Sequence, residues 1–214
     1  MSDYIGRQTT YSIFFMLGAL LYLSIPFIAM QASINPAVMW LILFYAVTML
    51  IFTMYGGGFA TIPAYLADIF GTLHVGGIHG RLLTAWSVAG ILGPVLLTHL
   101  REQSIYKAIH NLANTVDPNV FLSRFGAPIT ELDTLIQTST VSIASLMEIV
   151  PAGTMDPTPS LYNTTMYVMA SLLIVALISN RMMRPVHANH HVQNSHSHWW
   201  QNQKENKAGS TTAE

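Results

Sequence analysis

Between Arg7 and Asp68 the chain carries no Asp, Glu, Lys or Arg, and two further uncharged runs follow, from Leu82 to Leu100 and from Pro157 to Asn180. A bilayer core about 30 Å thick takes roughly 20 apolar residues of helix at about 1.5 Å rise each. The first run is long enough for two spans and a tight turn; each later run fits one. The fold expected is an all-α, polytopic membrane helix bundle with about four transmembrane helices.

The pattern predicts helices over roughly 11–30, 37–66, 82–100 and 161–180. Gly18 and Pro26 fall inside the first helix, where lipid tolerates such breakers if neighbours satisfy the freed backbone groups. Gln31 to Asn35 reads as a turn, with Pro36 opening the second helix. Gly56, Gly57 and Gly58 predict a disturbance in that helix. They serve either close helix packing or a flexible half-helix lining a cavity. Asp68 to Arg81, with four glycines, His74 and His79, reads as a loop.

Residues 101–159 form the long polar stretch between the third and fourth helices, punctuated by prolines. Within it, Leu132 to Val150 mixes apolar residues with Glu131, Asp133, Gln137 and Glu148 nearby, which suits a short amphipathic or interfacial helix. The membrane domain is thus expected over 1–184, with a polar, His-rich tail over 185–214 for which disorder is the default.

Composition sharpens this picture. Of the 214 residues 51% are hydrophobic and 9% charged, against roughly 25% charged in an average soluble domain; the mean hydropathy is +0.42. A net charge of -1 leaves no basic stripe for nucleic acid. The absence of cysteine excludes disulfides and thiolate metal sites. The apolar run after Arg7 is too long for a signal peptide, so the first span is expected to stay in the protein. Arg7, Arg81, Arg181, Arg184, Lys204 and Lys207 share one side of a four-span topology, and Arg101, Lys107 and Arg124 the other. The positive-inside rule then puts both termini in the cytoplasm and 101–159 outside.

Candidate chemistry is sparse. There is no Gly-x-Ser-x-Gly, no Gly-x-Gly-x-x-Gly opening a helix and no Walker loop, so no enzyme is expected, and no cofactor. His187, His190, His191, His196 and His198 have side chains that suit a divalent metal, but a solvated polar tail is the plainer account and no metal site is assigned. His99 ends the third helix, at an interfacial position. The polar groups left inside the spans are neutral. Tyr55, Gly56, Gly57, Thr61 and Tyr65 form the best cavity wall, and Thr84, Trp86 and Ser87 the next; for each alone, a packing residue or an interfacial aromatic is the plainer account.

Two stretches carry a resemblance. Ser2-Asp3-Tyr4-Ile5-Gly6-Arg7 resembles the second copy of the loop motif of the major facilitator superfamily, Gly-x-x-x-Ser-Asp-x-x-Gly-Arg-Lys. Gly56 to Gly71, followed by Val75 to Ser87 and Gly90-Ile-Leu-Gly-Pro94, looks like the tenth and eleventh helices of its oxalate/formate antiporter-like branch. Leu146 to Pro151 and Asp156 to Asn163 resemble the extended external loop of bacterial members. The resemblance covers residues 2 to about 191 and implies helices nine to twelve of a twelve-helix transporter, a partial major facilitator fold without the first eight helices. It implies a role for Asp3, Gly6, Arg7, Asp68 and Arg81 in a cytoplasmic gate, and an inner-membrane, multi-pass protein that moves a small organic anion. Partners would be membrane lipid and the missing eight helices as a separate chain. The family's oxalate transporters use an Arg on helix eight and a Lys on helix eleven; Leu82 to Leu100 has no Lys, so the anion is a mono- or dicarboxylate left unspecified. The alternative is a membrane accessory or interaction protein that does not transport.

Overall fold

The computed structural model describes residues 2–184, and the tail with its histidines lies outside them. Every regular element in that range is helical. A four-residue turn of helix, α1 (Ser2–Ile5), precedes α2 (Arg7–Ile34), α3 (Val38–Phe70) and α4 (Val75–Ala113). Short helices α5 (Pro118–Phe125), α6 (Leu132–Gln137) and α7 (Ile143–Met147) fill the long connection, and α8 (Asn163–Met182) closes the bundle. Four of the helices are long and apolar enough to cross a membrane.

α2 is the hub, packing against α8 along its length and against α3. The start of α2 lies beside the ends of α3 and α8, so the chain runs up and down and both of its described ends sit at one end of the bundle. Gly18 sets how closely the three helices approach. A Cβ built there would stand 3.0 Å from Leu173 of α8 and 3.4 Å from Met54 of α3. α4 packs against α3 and α8 much more lightly than α2 does, and none of its apolar span is buried. Its apolar face meets lipid or another chain.

Several elements depart from the sequence pattern. Asp68 to Arg81 is helix at both ends, interrupted only over residues 71–74. Gly71 ends α3 at φ +80°, a conformation side chains avoid, and α4 starts four residues later. Gly76, Gly77 and Gly80 lie inside α4 with open space at each would-be Cβ. The glycines at 56–58 do not disturb α3, because lipid offers their backbone no better partner than the helix's own carbonyls, which overrides glycine's low propensity.

α4 does not stop at Leu100 but continues to Ala113. The charges at Arg101, Glu102 and Lys107 mark the end of the apolar span, and their side chains favour helix, so the helix outlasts the membrane. At 39 residues it is about 58 Å long, nearly twice the bilayer core. The first part of the 101–159 segment is therefore a rigid post. α2 extends beyond 11–30 by about a turn at each end, and the turn at 31–35 contracts to residues 35–37.

The rest of that segment folds as a cap on the post. Ile109, Leu112, Ala113 and Val116 pack with Phe121, Leu132, Val141 and Leu146 in one hydrophobic core. Asp117 caps α5 by accepting from the Asn119 N–H at 2.8 Å, and Gly126 ends it at φ +71°. Leu132 to Val150 is two short helices rather than one, because the chain reverses at Ser139, φ +55°, and restarts at a Ser142–Ser145 capping box.

Candidate functional site

Several polar groups of the apolar spans collect where α2 begins and α3 and α8 end. Gly6 separates α1 from α2 at φ 84°, ψ 144°, a region essentially reserved for glycine. This bend places Arg7 so that one guanidinium nitrogen lies 3.1 Å from Asp3 and the other 3.2 Å from Asp68. Arg7 stands at the N-terminus of α2 and Asp68 in the last turn of α3, each at the end its own helix dipole disfavours. Paired, each charge sits beside the end of the other's helix, which it favours. Three of the five expected gate residues meet here and Gly6 shapes their meeting. Arg81, on the exposed side of α4, joins no ion pair among the described residues.

One turn deeper, side-chain hydrogen bonds tie the three helices together. The Tyr11 hydroxyl donates to the Gly58 carbonyl and accepts from Thr61 at 3.1 Å. Its ring stacks on Tyr65 with centroids 5.1 Å apart. The Tyr65 hydroxyl donates to Asn180 Oδ1 at 2.8 Å, and Asn180 Nδ2 donates to the Gln8 carbonyl at 2.9 Å and to Ser12 Oγ at 3.0 Å. Gln8 Nε2 in turn donates to the Asn180 carbonyl at 2.8 Å and the Met183 carbonyl at 3.0 Å, serving two acceptors at the C-terminal end of α8. Asn180, 4% exposed, is thus held at both ends of its amide.

Thr61 and Tyr65 belong to this network, while Tyr55 lies on another face of α3. It lines an open trough of about 380 Å³ with Phe14, Tyr22, Met54 and Phe59, among others. Gly57 sits under the Phe14 ring, 3.5 Å from a would-be Cβ, whereas Gly56 faces open space. On α4, Trp86 packs against Phe59 with centroids 4.7 Å apart and joins that helix to α3. The Thr84 and Ser87 hydroxyls bond back to their own helix, at the Arg81 and Leu83 carbonyls. The two groups of expected cavity residues are therefore not brought into one enclosed site within this chain.

Sequence reasoning missed Gln8, Tyr11, Ser12 and Asn180. Asn180 carried a signal: an amide at the end of an otherwise apolar span costs free energy in lipid unless another helix pairs with it. No nucleophile and base stand together in this network, and no group of His, Asp or Glu among the described residues is arranged to hold a metal. What it can do is hold three helix ends together. No family model matches the chain, and no curated protein or solved structure proves similar to it.

Proposed function

We propose that the chain is the helix nine-to-twelve portion of a secondary transporter for a small organic anion, set in an inner membrane with both described ends cytoplasmic. The observation that carries the reading is the assembly of Asp3, Gly6, Arg7 and Asp68 at one mouth of the bundle. A charge pair between two helix ends is the kind of contact that holds one state of an alternating-access cycle and releases in the other. The uncovered faces of α3 and α4 support a role for further helices, because a central cavity needs walls on both sides. Tyr55 and Trp86 would face that cavity.

The test is uptake into liposomes of purified chain, with radiolabelled formate or oxalate outside and the unlabelled anion inside. The chain by itself should give no saturable uptake, and co-reconstitution with a chain that supplies the remaining helices should restore it. Saturable exchange by this chain alone would refute the partial-transporter reading. The folded cap at 114–161 favours the second reading, a membrane accessory protein working through that outer domain. A partner that co-purifies through the cap and not through α3 or α4 would decide for it.

A further inference from the structure

Where the cap meets the post lies an open cleft of about 540 Å³, within the range of small-molecule sites. Its floor is aliphatic, built from Ile105 and Ile109 of α4, Ile143 and Met147 of α7, and Leu161 at the entry to α8. The polar groups on its rim are few. Arg101 has no carboxylate within ion-pairing distance among the described residues, and its guanidinium stands 5.9 Å from the Tyr162 ring centroid. Asp156 also lines the cleft, but its Oδ1 already accepts from the Thr158 N–H at 2.8 Å and the Thr158 hydroxyl at 2.6 Å. Ser139 lines it too, held at φ +55° where glycine is the ordinary choice. Such outliers concentrate at ligand sites.

We propose that this cleft binds a free amphipathic monocarboxylate, with its alkyl body on the isoleucine floor and its carboxylate on Arg101. A guanidinium with no ion-pair partner among the described residues, beside an apolar trough, matches a single anionic head, which it can engage through two parallel N–H donors. Asp156 repels a second carboxylate, so a monoanion is preferred to a dianion. The floor reaches Ile109, two turns and about 12 Å beyond Arg101 along the post, outside the span. A bilayer lipid, whose tails stay in the hydrocarbon, would reach Arg101 with its headgroup but leave this floor uncovered. The assignment is independent of the transport reading, because binding needs only the cap and the post.

The experiment is equilibrium dialysis of radiolabelled decanoate against the full chain in phosphatidylcholine nanodiscs, with empty nanodiscs subtracted. Decanoate should bind saturably. Arg101→Gln, a surface change that leaves the fold intact, should weaken it at least tenfold, and Ala144→Trp, which fills the cleft, should abolish it. Decanedioate should bind more weakly than decanoate, and Asp156→Asn should narrow that gap while preserving the turn. The proposal is overturned if Arg101→Gln binds like the wild type, or if decyltrimethylammonium competes as well as decanoate. It is also overturned if phosphatidylglycerol in the nanodisc suppresses decanoate binding through Arg101, which would make the occupant a lipid headgroup.

Discussion

Asn180 and Gly6 hold the terminal end of the bundle in different ways. Asn180→Leu keeps the branched shape but removes the partner of the Tyr65 hydroxyl and one of the donors to the Gln8 carbonyl. Interhelical bonds in membranes contribute about 0.6 kcal/mol each, up to about 1.7, so the variant should lose about 1–2 kcal/mol in a mixed-micelle unfolding titration. Gly6→Ala acts through the backbone. Its φ of 84° would cost a side chain about 1–3 kcal/mol, and relieving that strain should turn Arg7 away from Asp68. Ser139 is the reverse case: Ser139→Gly should stabilise the cap by about 1 kcal/mol. Among these only Gly6 was legible beforehand, as part of a motif. Asn180 and Ser139 gain their meaning from the helices and turns around them, which a linear pattern does not display.

At the scale of elements, the spans were legible because lipid imposes one rule on all of them: the backbone must bond to itself over an apolar length. The helix ends were less so. Arg101 marks where α4 leaves the membrane, yet the helix runs on to Ala113, since charge governs solvation and propensity governs conformation. Beyond the amphipathic helix expected within 132–150, the cap is not legible in the pattern, because its core residues, Phe121, Leu132 and Leu146 among them, come from elements too short to show a period. It should behave as a unit separate from the bundle. Phe121→Ala, at a fully buried position, should cost about 3–5 kcal/mol and open 114–161 to protease while the polar links at the other end persist. Acid should act on the same unit. Hydrogen bonds from Tyr106 and from His110, at 2.7 and 2.9 Å, hold the Asp133 carboxyl below the usual carboxylate range. That contribution is complete above the ordinary value of 3.8 and is lost as pH falls through the lower folded value. Proteolysis of the cap should therefore rise below about pH 4, and Asp133→Asn should reduce this pH dependence.

On the scale of the whole molecule, α2, α3 and α8 form a tied trio, while α4 stands as a post with the cap on its far end. By the positive-inside rule the charges on the two sides of the spans, Arg7, Arg81, Arg181 and Arg184 against Arg101, Lys107 and Arg124, would put the described ends in the cytoplasm and the cap outside. With no cysteine in the sequence, single introduced thiols report each side without background. The most direct measurement is labelling of Ser2→Cys and of Ser145→Cys, in α7, by a membrane-impermeant maleimide in intact cells and again after permeabilisation. Four crossings with the cap outside predict that Cys at 145 reacts in intact cells and Cys at 2 only once the membrane is opened. Equal reaction of both in intact cells, or the reverse order, would contradict the topology and with it the cytoplasmic position of the Asp3, Arg7 and Asp68 contact.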